Sequence, residues 1–219
     1  MKNARRSALI KTAVGLVALG VLGVLFVRSA RSVRAEPFKV SRDLLSGWTL
    51  AIDPAPAESG VLLALRPPRE LAASLFSEVF ARSGESMSGP VPPALPLVLQ
   101  REFDARAAGI LGPDALLELA RAARFESTPL VPRCMAHRRV SGPGITRQLY
   151  FLLFDLPAFD AFRRQVAQRL RDGGSTSTFD PAAQSPILIV AATDAAFSSW
   201  LPVRADAEKD CFAPIAPNP

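Results

Sequence analysis

An α+β fold of two pseudo-symmetric lobes, each an antiparallel sheet with flanking helices, is predicted for this chain by three observations, with one transmembrane helix ahead of it. Residues Gly60 to Gln100 and Gln148 to Ala191 follow one plan: an apolar run, a proline, an amphipathic helix, a polar Gly/Ser/Thr stretch and a second apolar run. The apolar runs have strand length, and the helices between them carry an apolar stripe, so strands return around helices twice over. The chain has 219 residues, 49% of them hydrophobic, which suffices for one domain of moderate size or two small lobes.

The elements follow in order. Residues 1–7 form a short basic segment, expected on the cytoplasmic side. Ala8 to Val27 reads ALIKTAVGLVALGVLGVLFV, and twenty helical residues at about 1.5 Å each match the roughly 30 Å of bilayer hydrocarbon. The alternatives are an uncleaved signal anchor, a cleaved signal peptide and a buried core helix. Cleavage after Ala35 would leave three arginines between the apolar run and the cut, a poor context for signal peptidase, so residues 8–27 are assigned as the anchor. Lys2, Arg5 and Arg6 before the segment and Lys11 near its start face three basic residues after it, a bias that orients the remainder toward the periplasm of a bacterium, with the anchor in the inner membrane.

Residues 28–42 read as a basic juxtamembrane linker interrupted by Pro37, and 43–203 as the globular domain, with lobes at about 60–125 and 129–200. Trp48 to Ile52 and Val61 to Leu65 are strand candidates. Pro67 and Pro68 then stand where a helix start tolerates proline, and Leu71, Leu75 and Val79 with Ala72, Phe76 and Phe80 form its apolar face. Gly84 and Gly89 end that helix, and Leu97 to Phe103 is the returning strand. A further helix follows Gly112. Pro129 to Val140 is extended, with Met135 and His137 on one face and Cys134 and Ala136 on the other. The turn Ser141-Gly-Pro-Gly joins it to the strand Gln148 to Phe154. The helix after Pro157 buries Phe159, Phe162, Val166 and Leu170 and exposes Arg163, Arg164 and Arg169. Pro186 to Ala192 is the last apolar strand, Asp194 is a candidate cap for a short helix, and 204–219 is a Pro-rich tail held near Cys211.

The formal charge of +6 suggests a polyanion partner, but its distribution argues otherwise. The seven basic residues up to Glu36 outweigh that one acid by six, and the remaining 19 basic and 19 acidic residues cancel. A nucleic-acid groove needs a local excess of Lys and Arg, so no nucleic-acid partner is expected. Cys134 and Cys211 are the only cysteines. Beyond an export-type segment they suit an oxidising compartment and a disulfide worth about 4 kcal/mol in the chain-entropy view. The alternative is two unrelated buried thiols. Cys/His metal spacing and a phosphate-cradling P-loop are both missing, so no metal or cofactor is expected.

The wording of both repeats resembles the 2H phosphoesterase superfamily, the 2'-5' RNA ligase and cyclic phosphodiesterase group. The first lobe reads GVLLALRPPRELAASLF and then VPPALPLVL; the second reads QLYFLLFDLPAFDAFRRQVAQRL, then Phe179-Asp180-Pro181 and SPILIVA. The resemblance covers roughly Gly60 to Thr193. It implies two facing strands, each bearing His-x-Thr/Ser, across a central groove that holds a 2',3'-cyclic phosphate. Here those positions carry Pro96 and Val98 in the first lobe and Ile187 and Ile189 in the second. His137 is the single histidine of the chain, so a mechanism with one imidazole as acid and another as base is excluded by count.

The expected result is a pseudoenzyme of this scaffold, binding an envelope protein or a small ligand where the groove has turned apolar, or else a groove closed into ordinary core. Pro96, Val98, Ile187 and Ile189 are the groove candidates. His137, Arg139 and Arg147, with Arg138, are candidates for a small anion site at the hairpin rim. Two alternatives from other classes are a hydrolase working on a phosphoester or envelope component through His137 and the arginines, and a structural part of an envelope complex.

Overall fold

The computed structural model describes residues 19–23, 36–53, 60–103, 105–142, 145–175, 179–193 and 204–218. The chain divides into two compact units, Met1–Glu36 and Pro37–Pro219. In the first, residues 19–23 are helical, and most of the expected 8–27 span lies outside the described residues. Among the described residues no helix is long and apolar enough to cross a membrane.

The second unit is α+β. Its strands are β1 (Phe38–Ser41), β2 (Thr49–Ile52), β3 (Val61–Arg66), β4 (Leu95–Leu99), β5 (Val131–Gly142), β6 (Ile145–Asp155), β7 (Ile187–Ala192) and β8 (Cys211–Asn218). Its helices are α1 (Arg69–Ser83), α2 (Ala105–Ile110), α3 (Pro113–Ala122), α4 (Pro157–Asp172) and the single turn α5 (Ala207–Asp210). Local chemistry sets the helix ends. Pro68 stands at the N-cap of α1, and at its far end Gly84 takes φ 66° and returns its N–H to the Phe80 carbonyl at 3.0 Å, a backbone conformation that suits glycine. Pro157 opens α4, where a missing N–H costs nothing.

The strands form two sheets, β2-β3-β4 and β1-β8-β5-β6-β7. In the first, β2 and β4 flank β3 antiparallel, and α1 connects β3 to β4; in the second, β5 and β7 flank β6 antiparallel, and α4 connects β6 to β7. Each sheet thus uses the order strand, strand, helix, strand. The larger core joins the helices to both sheets, through residues such as Leu71, Leu75, Phe159, Phe162, Leu97 and Leu188. The buried residues of a smaller core all lie on strands. There Val61, Ala64 and Leu99 of the small sheet meet Phe151, Ile187 and Ile189 of the large one, with Ala207 of the single turn α5 packed against them.

Several segments differ from the sequence reading. The expected returning strand Leu97 to Phe103 is β4 at Leu95–Leu99, followed by a 3-10 turn at Gln100–Glu102. Residues 38–41, assigned to the linker, form β1, and residues 211–218, assigned to the tail, form β8 inside the large sheet. The residues of β8 up to Pro214 pair antiparallel with β5, and those from Ile215 pair parallel with β1, so that sheet is not wholly antiparallel. Each half of β8 uses one of its edges, which limits what Pro214 and Pro217 cost the ladder for want of an N–H. The turn before β8 is locally fixed: Asp206 accepts from the Glu208 N–H at 3.1 Å, and the Lys209 ammonium, 2.9 Å away, holds its carboxyl below the usual range. Cys134 and Cys211 form a disulfide between β5 and β8 with Cα atoms 5.7 Å apart. The expected short helix after Asp194 lies outside the described residues.

Candidate functional site

Strand alternation decides the fate of the four groove candidates. Pro96 pairs with Ala64 and Val98 with Leu63 in the small sheet, and Ile187 and Ile189 pair with Leu153 and Phe151 in the large one. All four are buried. A register shift in the β3/β4 ladder turns Val98 into the larger core, whereas Ile187 and Ile189 point into the smaller. The structure therefore does not bring Val98 and the two isoleucines together around one groove. Of the two expected outcomes, these positions follow the second: they are core.

The hairpin-rim candidates separate for the same reason. In the β5/β6 ladder Arg139 pairs with Gln148 and Val140 with Arg147, so Arg139 and Arg147 lie on opposite faces of a two-residue repeat. Arg138 is engaged elsewhere, in an ion pair with Asp210 and a bond of 3.1 Å to the Arg204 carbonyl. Parity places Arg139 on the face of His137 and Arg147 on the face of Arg138, so the candidates are divided between the two sides of the hairpin.

His137 has a defined setting. Its ring stacks on Tyr150, centroids 4.5 Å apart, and meets Phe212 edge to face at 6.2 Å. Its Nε2 lies 2.9 Å from Gln148 Oε1, and the Gln148 amide nitrogen donates to Glu85 in the loop after α1. A carboxylate oxygen only accepts, so the amide turns its NH2 to Glu85 and its oxygen to His137, which makes Nε2 the protonated nitrogen. An amide between imidazole and carboxylate transmits orientation but no proton. The chain His137–Gln148–Glu85 therefore ties the large sheet to the loop after α1. Gln148 is pinned by its backbone as well, its N–H donating to Thr193 Oγ1 at 2.9 Å.

A second polar tie is fully enclosed. Arg163, read from the sequence as exposed, is 0% exposed. Its Nε donates to the Pro181 carbonyl at 3.0 Å, Nη1 to Leu97 O at 3.0 Å and Glu102 Oε2 at 3.2 Å, and Nη2 to Glu102 Oε1 at 2.7 Å and Asp180 O at 2.6 Å. All five guanidinium donors are thus used, and the ring of Phe179 lies 4.6 Å from its carbon. Gln184 completes the cluster, donating to Leu97 O at 3.2 Å. A group so fully satisfied holds α4 and the segment at 180–184 against the end of β4; it has no donor left for a ligand. The sequence carried a signal for it, because residue 163 is four positions after Phe159 and three before Val166, on the apolar stripe.

A surface concavity beside α1 is lined mainly by apolar groups. A cavity of about 500 Å³ runs between α1, at Ala72, Ala73 and Phe76, and the loop at Pro90, Val91 and Pro92, with Val190 of β7 also lining it. The loop is held there by two backbone bonds of 2.9 Å between Ser88 and Ala192. Gly89 permits the close approach, since a Cβ on it would stand 3.1 Å from the Val190 carbonyl oxygen and 3.4 Å from the Phe76 ring. Val91 is 93% exposed and Phe80, stacked on Phe76 at 6.4 Å, is 50% exposed. Sequence reasoning missed this site because Phe76 and Phe80 belong to the apolar stripe of α1 and read as core, whereas the structure leaves Phe76 part-buried in the groove wall and Phe80 exposed. Ser77 and Arg69 supply its polar lining. Arg69 is exposed and has no ion-pair or hydrogen-bond partner among the described residues.

Among the described residues no group of three or more His, Cys, Asp or Glu side chains could hold a metal ion. No family model matches the chain, and neither a curated protein nor a solved structure matches it.

Proposed function

We propose that this chain is a membrane-tethered, periplasm-facing binding domain on a degenerate 2H phosphoesterase-like scaffold, a pseudoenzyme that takes a partner protein or small ligand on the open side of α1. The observation that carries the proposal is the apolar groove between α1 and the loop at 90–93, because concave apolar surfaces with a few polar groups are where ligands bind. The scaffold assignment is supported by the order strand, strand, helix, strand in both sheets. A non-catalytic role is supported by the burial of Pro96, Val98, Ile187 and Ile189 and by the engagement of His137 with an amide. The membrane tether rests on the apolar run Ala8 to Val27, and the periplasmic side on the charges around it.

The test is site-specific photo-crosslinking in intact cells, with benzoylphenylalanine at Val91 and, as a control, at the exposed Arg121 on α3. The proposal expects a discrete adduct from Val91 and none from Arg121. Equal or absent labelling at the two positions would sink it.

A further inference from the structure

The groove discriminates among ligand classes by what it lacks. Of the five loop residues that line it, Pro90, Pro92 and Pro93 carry no N–H, which leaves Gly89 and Val91 as the amide donors of that wall. The opposite wall from Ala72 to Ser77 is helix surface beyond the first turn, where backbone groups are already engaged in the helix. An extended peptide laid there would find few N–H donors for its own carbonyls, and such groups are costly when desolvated without one. An alkyl chain has no polar group to satisfy and meets none of these costs.

Charge fixes the other end of the ligand. Arg69, Ala72, Ala73, Phe76 and Ser77 follow one another at positions i, i+3, i+4, i+7 and i+8, a single stripe about 12 Å long. Arg69 stands at the N-terminal end of that stripe without a partner among the described residues. A cation there opposes the helix dipole, so helix stability does not account for it. A carboxylate at that end would supply the missing partner.

Resting on the binding-domain reading, we propose that the groove is a site for a single-chain anionic amphiphile, a fatty acid whose alkyl tail lies between Ala72–Phe76 and the proline loop and whose carboxylate pairs with Arg69. The full chain, reconstituted in phosphatidylcholine nanodiscs, is irradiated with dodecanoic acid carrying a diazirine in its tail, and adducts are mapped by peptide mass spectrometry. The expected result is saturable labelling within residues 69–93, displaced by unlabelled dodecanoate and about tenfold less well by dodecanol, which lacks the charge. Arg69→Glu should weaken labelling about tenfold and Arg69→Lys far less, while Ala73→Trp, which fills the groove from an exposed position, should abolish it with the circular dichroism spectrum unchanged. Labelling confined to residues 8–27, or groove labelling indifferent to Arg69→Glu and to competitor, would overturn the proposal. Failure of the acyl probe together with a discrete adduct from benzoylphenylalanine at Val91 overturns the fatty-acid assignment alone and leaves the binding domain standing. Failure of both removes both.

Discussion

Helices α1 and α4 occupy the same place in the same strand order, yet one is sealed and the other is open. Helix α4 buries Phe159, Phe162, Val166 and Leu170, and the segment at 179–184 closes over it through Arg163. Helix α1 buries Leu71, Leu75 and Val79, but its Phe76 lines an open groove against a proline loop that touches β7, and its Phe80 is half exposed. The contrast teaches that a repeated plan fixes the framework while the connection between helix and returning strand decides whether a helix face becomes core or surface. In the second half that connection carries a carbonyl-rich turn for a guanidinium. In the first it carries prolines.

The sharpest way to break this comparison is to remove one aromatic from each helix. Phe162, edge to face with Phe125 at 5.5 Å, is expected to cost about 3–5 kcal/mol on substitution by alanine, read as a shift of the urea midpoint. Arg163→Met should cost a similar amount, about 3–5 kcal/mol, because it leaves Glu102 enclosed without its cation. Arg163→Met combined with Glu102→Met should recover much of that loss, and a double variant no better than the single one would refute the pairing. The disulfide ranks next: Cys134→Ala with Cys211→Ala is expected to lower stability by about 2–4 kcal/mol, checked by thermal unfolding with and without reductant. Gly89→Ala crowds the Val190 carbonyl and should cost about 1 kcal/mol, with reduced crosslinking from position 91 as its second readout. Phe80→Ala on the open helix closes the series at no more than about 0.5 kcal/mol. Equal losses at Phe162 and Phe80 would mean that the two helices are not differently covered after all.

The parts of this fold legible in the sequence are those written in local signals. Prolines at 68 and 157 and glycines at 84 and 173 bracket α1 and α4, and the apolar runs at 61–65 and 187–192 are strands. The disulfide was legible as a pair because only two cysteines exist. What escaped depends on partners far along the chain. Strand β1 has four residues, too few for the alternation of Phe38 and Val40 to stand out, and β8 carries two prolines that speak against a strand when read alone. The site was less legible than the fold. His137 was singled out, but Gln148 and Glu85 lie 11 and 63 residues from their partners in that chain of bonds, and nothing local announces either. Arg139 and Arg147 looked like neighbours across a turn, and strand parity divides them. The groove candidates were placed by analogy with a polar cleft, and aliphatic side chains at those positions did what aliphatic side chains do, filling space between two sheets.

The neighbourhood of β1 and β8 also governs the order in which this domain is completed. Phe38 lies beside Ile215 and Ser41 beside Asn218, so the first strand to leave a ribosome or an export channel must wait for nearly all of the remainder before it meets its mate. During that interval Phe38 and Val40, both destined for the interior, have no sheet to join, which marks out a stretch where a holding chaperone would engage the nascent chain. Shortening the protein by its last eight strand residues would strand the first four as well, so a C-terminal nick acts at both ends of the molecule at once.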